Sequence, residues 1–193
     1  MSTRLTLTLS LLLIIGALIL GAALWPRLPD PMASHWNAHD QVDGYISRLW
    51  GVLLMPLIAL AMLGLFWLIP QIDPLKANIA TFRPIFNLFI FLFLLFLFYL
   101  HALTLSWNLG YHFRMSQAML PAMGLLFLLI AHLLRHAKRN WFIGIRTPWT
   151  LSSDHVWDKT HRIGAALFAI CGILSMLGGL LGSTFALWLI ILP

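Results

Sequence analysis

Residues 85–107 read IFNLFIFLFLLFLFYLHALTLSW and contain no Asp, Glu, Lys or Arg. An α-helix rises 1.5 Å per residue, so about 20 apolar residues are needed to cross the roughly 30 Å of hydrocarbon in a bilayer. This stretch is therefore long and apolar enough to form a transmembrane helix. It is apolar on every face, which predicts a helix that faces lipid rather than a cofactor.

Three more runs are long and apolar enough to cross a bilayer, at 5–25, 49–70 and 116–134. The last apolar segment, 163–193, is too long for one untilted helix. Glycines at Gly178 and Gly182 favour one span at about 163–181, followed by a truncated or re-entrant sixth element. We therefore expect an all-α, polytopic integral membrane protein with five to six transmembrane helices.

The predicted spans form a single membrane domain, 1–193. It has an N-terminal two-helix part, 1–70, which carries one polar loop, and a C-terminal part, 71–193, which carries a second, longer polar loop at 135–162. The first helix begins with Arg4 but has no small-residue cleavage site after it, so we expect it to be retained rather than removed as a signal peptide.

Lys and Arg are distributed unevenly over the segments between these spans. Nine of the twelve lie on one side, which the positive-inside rule makes cytoplasmic. The nine are Arg4, Lys76, Arg83, Arg135, Lys138, Arg139, Arg146, Lys159 and Arg162. The amino terminus and the 135–162 loop are thus predicted to face the cytoplasm, and the 26–48 loop to face the exterior of a multi-pass cell-membrane protein.

Charge and composition exclude several classes of function. The net charge of +6 comes from basic residues beside the spans, which indicates orientation signals and contacts with anionic membrane lipid rather than nucleic acid. The single cysteine, Cys171, lies in an apolar helix and predicts packing, without a disulfide or thiolate metal site. Glutamate is absent, and there is no Gly-rich phosphate loop, so neither a zinc protease of the His-Glu-x-x-His type nor an ATPase is expected.

The predicted outer loop, 26–48, is rich in side chains that could bind a ligand. Its prolines exclude an early helix, and Gly44-Tyr45 predicts a turn at its end. If the middle were helical, His35 and His39 would share a face and could bind a metal together with nearby aspartates. Loops of this composition more often form a hydrogen-bonded, solvated cap, and we predict no metal and no cofactor.

The predicted inner loop, 135–162, combines charged and aromatic residues. Ser152 or Ser153 can cap a helix that runs through Arg162. Asp154, Asp158 and His161 would lie on one stripe of that helix, flanked by Trp157. Such a stripe is either an acid–base or metal-ligating set, or the paired surface of an amphipathic helix, and the second interpretation is favoured.

Arg146 lies between a glycine and a proline, where the chain must turn tightly. Its guanidinium group is suited to a fixed contact with a carboxylate or with backbone carbonyls, and a lysine is not.

Three motifs in this chain together resemble the Sdp-type immunity-protein family (SdpI family). The first runs from Leu28-Pro29 through His35-Trp36-Asn37 to Asp43 and is similar to the domain of unknown function that these proteins carry at the amino terminus. The second is Ile72-Asp73-Pro74 with Asn78. The third is the signature loop, and its residues are Asn140, Gly144, Arg146, Thr147, Pro148, Trp149, Trp157, Thr160 and His161. The first motif departs from the family pattern at Asp40 and Val42.

The resemblance implies a membrane protein without catalysis that protects a cell from a secreted, membrane-active peptide toxin. In the best-known system of the family, the immunity protein also holds a small transcriptional repressor at the membrane. The implied toxin-side candidates are His35, Trp36, Asn37 and Asp43, and the signature loop is the implied partner side.

Two functions from other classes stay open. The first is a membrane enzyme with a site at the inner interface, with or without metal, made by Arg146, Asp154, Asp158 and His161. The second is a transporter, for which His101, Asn108 and His132 provide few polar groups within the spans.

Overall fold

The computed structural model describes residues 1–181, which form a bundle of helices with one small β-hairpin. Five helices are long and apolar enough to span a membrane: α1 (Thr3–Leu24), α2 (Arg48–Ile72), α4 (Arg83–Asn108), α5 (Met115–His136) and α7 (Asp154–Leu181). The remaining elements of the described residues are β1 (Met32–Trp36), β2 (Val42–Ile46), α3 (Lys76–Thr81), α6 (Pro148–Ser152) and one turn of 3-10 helix after α1 (Trp25–Arg27). The predicted polytopic all-α class is confirmed, and the expected sixth element lies outside the described residues.

Helix α4 is the centre of the bundle and contacts α1, α2 and α5. Phe86, Ile90 and Leu94 follow one another at helical spacing and are at most 3% exposed. The opposite face exposes Leu95 and Tyr99. The Phe-rich segment, expected to face lipid, therefore does so on one face and packs inside the bundle on the other. Hydropathy could not reveal the buried face, because lipid-facing and core-facing positions are equally apolar in a membrane.

Helices α5 and α7 form the most closely associated pair in the bundle. A Cβ placed on Gly124 would come within 2.5 Å of the carbonyl oxygen of Gly172, and one on Gly172 within 2.8 Å of the carbonyl oxygen of Gly124. Ser175 Oγ donates a hydrogen bond of 2.7 Å to the carbonyl of Leu120. Small residues permit close backbone approach between membrane helices, where there is little hydrophobic drive for association.

The connections between helices gather at two opposite ends of the bundle. The hairpin end consists of residues 25–47 and 109–114, and the signature end of residues 73–82 and 137–153. At the signature end, the short surface helix and the fifth span expected from the sequence are one continuous helix, α7, which begins at Asp154. Ser153 precedes it, and its Oγ accepts a hydrogen bond of 3.4 Å from the backbone N–H of Val156.

Candidate functional site

The outer-loop motif forms an antiparallel hairpin, and neither the helix considered for His35 and His39 nor the turn expected at Gly44-Tyr45 is present. Strands β1 and β2 pair from Met32 opposite Ile46 to Trp36 opposite Val42. The chain reverses between the strands, where Asp40 adopts a φ of 60°, a left-handed conformation that aspartate tolerates better than most residues. The expected turn is wrong because Gly44 packs inside the hairpin, where a Cβ would lie 2.8 Å from the Cβ of His35.

Long-range hydrogen bonds fix the hairpin on the helix ends. Asp40 accepts bonds of 2.7 Å from both the backbone N–H and the hydroxyl of Ser116, so it caps the amino-terminal turn of α5. Asp30 accepts a bond of 3.2 Å from the backbone N–H of Arg48, the first residue of α2. Asn108 bonds both backbone groups of Ala33, accepting at 2.8 Å and donating at 2.9 Å.

The four predicted toxin-side residues lie together on this hairpin but have different surroundings. The His35 ring bonds the carboxylate of Asp43, and both side chains are substantially exposed. The side-chain Oδ1 of Asn37 accepts bonds of 2.9 Å and 3.1 Å from the backbone N–H groups of His39 and Gln41, which shapes the turn. Trp36 packs edge-to-face on Trp107 of α4 with ring centroids 5.4 Å apart.

At the signature end, Asn140 organises the chain after α5. It is fully buried, and its side-chain carbonyl accepts from the N–H groups of Phe142 and Ile143 at 2.9 Å and 2.6 Å. Its amide group donates to the carbonyls of Lys138 and Ile143, each at 2.9 Å. These four bonds use the full capacity of the amide for one tight loop.

The next part of the signature loop closes on α7 through His161. The ring is 2% exposed, stacks on Trp157 with centroids 3.9 Å apart, and accepts at Nε2 from the N–H of Ile145 at 3.0 Å. Its Nδ1 lies 2.9 Å from the carbonyl of Trp157. Since a carbonyl only accepts, the neutral ring with its proton on Nδ1 satisfies both bonds. Gly144, with a φ of +115°, leaves room for this ring, because a Cβ there would fall on Nε2.

Trp157, expected to flank a surface stripe, is instead fully buried. Its side chain is 0% exposed, and its Nε1–H donates a bond of 2.8 Å to the carbonyl of Ala137 at the end of α5. Helical spacing predicts that Asp154, Asp158 and His161 lie on one stripe, but it does not tell which part of that stripe turns inward. His161 shares the inward side, and the two carboxylates of the stripe remain outside.

The remaining signature residues build the short helix α6. Thr147 Oγ1 accepts from the N–H of Thr150 at 3.2 Å, and Thr150 Oγ1 accepts from the N–H of Thr147 at 2.8 Å, which is a capping box. Pro148 occupies the first turn, where its missing N–H costs nothing. Thr160 is half-buried, and Trp149 is 67% exposed.

Asp73 and Asn78, from the second motif, connect the first half of the chain to the signature loop. Asp73 is 2% exposed, and its carboxylate accepts from the N–H of Leu75 at 2.6 Å and from the N–H of Trp141 at 2.9 Å. Asn78 donates a bond of 2.8 Å to the carbonyl of Arg139. The two motifs that are separate in the sequence therefore form one structure at the signature end.

The four residues of the alternative, enzymatic site are bonded to four different partners. Arg146 donates a bond of 2.8 Å to the carbonyl of Trp141, the kind of contact expected from its position. Asp154 pairs with Arg139 at 2.7 Å, Asp158 approaches Lys138 at 3.9 Å, and His161 bonds the loop backbone. The acidic stripe therefore serves as the paired surface of a helix, which is the interpretation that the sequence favoured.

The chain has six aspartates and no glutamate. Each aspartate makes a hydrogen bond or an ion pair with another residue. Asp30, Asp40 and Asp73 accept backbone N–H groups at the amino ends of helices or in loops. Asp43, Asp154 and Asp158 pair with a basic side chain. Within residues 1–181, no group of three His, Cys or Asp side chains is close enough to hold a metal ion.

A cavity of about 310 Å³ adjoins the signature loop at Gly144 and Ile145. Its other walls are apolar side chains of α2, α4, α5 and α7, including Phe66, Phe89 and Phe168. An acid–base site would need convergent polar groups at such a cavity. The side chains that line this cavity are instead apolar.

Comparison with known proteins agrees with the motifs. Residues 136–193, which contain the signature loop and α7, match the model of the SdpI/YfhL protein family. The carboxyl-terminal segment of the chain is therefore similar to this family. Residues 12–60, which contain the hairpin, match a domain of unknown function, DUF1648. The resemblance inferred from the three motifs is thus confirmed.

The chain is also similar over nearly its whole length to a curated protein, the immunity protein SdpI of Bacillus subtilis (strain 168). The two are 23% identical over 185 residues, which cover 95% of this chain and 86% of that protein. No solved structure matches the chain.

Proposed function

We propose that this protein is a non-catalytic membrane immunity protein, which protects its cell against a secreted, membrane-active peptide toxin. The proposal rests on the observation that the acidic side chains and His161 are bonded to other parts of the protein. Every aspartate is engaged in a structural contact, and His161 is buried with both ring nitrogens bonded. A general acid or base must be free to reach a substrate. The similarity to an immunity protein along 95% of the chain supports the same function.

The proposal includes an orientation. The hairpin end, which together with Arg48 at the start of α2 carries three of the twelve Lys and Arg residues, faces the exterior, and the signature end and the amino terminus face the cytoplasm. The toxin would then meet the hairpin with His35, Trp36, Asn37 and Asp43. A small repressor protein and anionic lipid would meet the basic signature end, where Trp149 is exposed.

Complementation tests the immunity function. Bacillus subtilis cells that lack their own SdpI and express this chain should survive beside toxin-producing cells, and cells with an empty vector should not. The variant Asp158→Asn is the matched control for catalysis, because it keeps the size of the side chain and removes only the charge. If the wild-type chain reaches the membrane at the abundance of the relative and gives no protection, the immunity function is refuted. If the wild type protects and Asp158→Asn does not, although both are equally abundant in the membrane, the result supports the enzymatic alternative.

Cysteine labelling tests the orientation. In a Cys171→Ser background, Ser34→Cys should react with a membrane-impermeant maleimide in intact cells, because Ser34 is exposed on the hairpin. His155→Cys, which is exposed at the start of α7, should react only after the cells are opened. The reverse pattern would show that the orientation is inverted.

A further inference from the structure

The hairpin end contains a groove of about 530 Å³, enclosed by β1 and its turn, α4 and α5. A volume of this size is typical of ligand sites. The walls change character with depth. Ser34, His35 and Asn37 line the part formed by the hairpin, whereas Leu100 and Leu120 line the part that enters the bundle.

Methionines provide half of the groove-lining residues that come from helices. The four are Met55 from α2 and Met115, Met119 and Met123 from α5. The thioether side chain is unbranched, polarisable and able to repack, so methionine-rich surfaces accept apolar segments of varied shape. A wall of this kind fits the side chains of an inserted peptide better than it fits one rigid small molecule.

Trp36 provides a polar group in the same walls. It lines the groove, and its indole Nε1–H is buried without a hydrogen-bond partner among residues 1–181. A buried N–H that makes no bond costs about 1–3 kcal/mol, so a ligand that shifts the indole and brings an acceptor to its N–H gains affinity. The backbone carbonyls of a peptide are such acceptors, and they alternate with the apolar side chains that the methionines would hold.

We propose that this groove is the toxin-binding site and that it holds an apolar segment of the peptide toxin, with its side chains between the methionines and a backbone carbonyl at Trp36. The inference rests on the immunity function proposed above and adds the place and chemistry of recognition. Since the groove opens beneath the hairpin, an incoming peptide meets it from the exterior in the proposed orientation.

A lipid chain is the competing occupant, and the structure offers it a different place. On the opposite side of the contact between α4 and α5 lies a larger groove of about 890 Å³, with mostly apolar walls that include Leu92, Leu95 and Leu125. It is not covered by the hairpin. That groove suits hydrocarbon, and it provides a matched control surface on the same helix, α5.

The test compares substitutions that fill one groove or the other. Met119→Trp fills the methionine groove, Met119→Leu keeps its volume, and Leu125→Trp fills the control groove. In the complementation assay, Met119→Trp should lower the tolerated toxin concentration at least about tenfold, because a steric penalty of about 1.4 kcal/mol costs a factor of ten in affinity. The other two variants should protect like the wild type. Abundance in the membrane is measured for each variant.

A second measurement keeps the proposal testable if Met119→Trp fails to accumulate. Purified full-length Ser34→Cys and Tyr111→Cys proteins, with Cys171→Ser, are labelled in phospholipid nanodiscs with and without the Bacillus subtilis toxin peptide. Tyr111 is 69% exposed and is not part of the groove. The toxin should protect Ser34→Cys and leave Tyr111→Cys reactive.

The outcomes separate the two proposals. If the wild type gives no protection and binds no toxin, the immunity function fails. If the wild type protects but Met119→Trp protects equally, or toxin binding leaves Ser34→Cys fully reactive, the groove is not the site. If Ser34→Cys is blocked in nanodiscs before toxin is added, yet reacts in detergent, a lipid occupies the groove and the proposal is overturned.

Discussion

Gly144→Ala is predicted to destabilise the signature loop more than a change of one methyl group suggests. Gly144 has a φ of +115°, which costs an alanine of the order of 1–3 kcal/mol. The new Cβ would also fall on Nε2 of His161, and the ring atoms Cδ2 and Cε1 lie only 3.2 Å and 3.3 Å from its position. The ring must move, which breaks its bond with the N–H of Ile145, worth about 1 kcal/mol. The total is about 2–4 kcal/mol.

Two other glycines separate these causes. Gly110 also has a positive φ, +98°, but a Cβ there meets nothing within 4 Å, so Gly110→Ala measures the backbone cost alone. Gly64 lies inside α2 with open space around it, and Gly64→Ala should be neutral or stabilising by about 0.5–1 kcal/mol. The double variant Gly144→Ala with His161→Ala should lose less than the sum of the single variants, because the clash is absent.

The free energy of unfolding is measured in mixed micelles with an increasing fraction of sodium dodecyl sulfate and followed by circular dichroism. The order of stability should be Gly64→Ala, then Gly110→Ala, then Gly144→Ala. Equal losses in Gly144→Ala and Gly110→Ala, or strict additivity in the double variant, would refute the role assigned to His161.

Three further predictions concern single contacts. Arg146→Lys should lower thermal stability nearly as much as Arg146→Ala, because an ammonium group cannot reproduce the guanidinium contact with the Trp141 carbonyl. Thermal melts in which Arg146→Lys matches the wild type would contradict this. Asp158→Asn should change the free energy of unfolding by less than about 1 kcal/mol, since its exposed pair with Lys138 is long, and a larger loss in the same micelle titration would show a stronger role. Asp40→Ala should cost about 1–2 kcal/mol by removing the cap of α5, and hydrogen exchange should then speed up at its first turn and not in α7.

The membrane spans could be predicted from the sequence because each one contains a long apolar run, and that signal does not depend on distant contacts. The hairpin could not be predicted in the same way. Its strands are short, and its place depends on bonds from Asp40 to Ser116 and from Ala33 to Asn108, far along the chain. Without those partners, the loop composition only indicated an ordered cap.

The signature loop shows the same limit at the level of single side chains. Helical spacing predicts one stripe for Asp154, Asp158 and His161, and Arg146 contacts a backbone carbonyl, one of the two kinds of partner expected from its position. The stripe did not reveal that His161 and Trp157 turn inward, because that choice is made by Gly144 and Ala137, which come from another segment. Asp73 belongs to a motif that is visible in the sequence, but its partner, the backbone N–H of Trp141, is 68 residues away and is not.

The three aspartates that hold backbone N–H groups have a consequence for the growing chain. Asp30 precedes its partner Arg48 by 18 residues, Asp73 precedes Trp141 by 68, and Asp40 precedes Ser116 by 76. In each case the ribosome makes the acceptor before the donor. Chains fold from the amino terminus during synthesis. Each late segment therefore emerges toward an anchor that is already built, and assembly of the bundle can proceed in the order of translation.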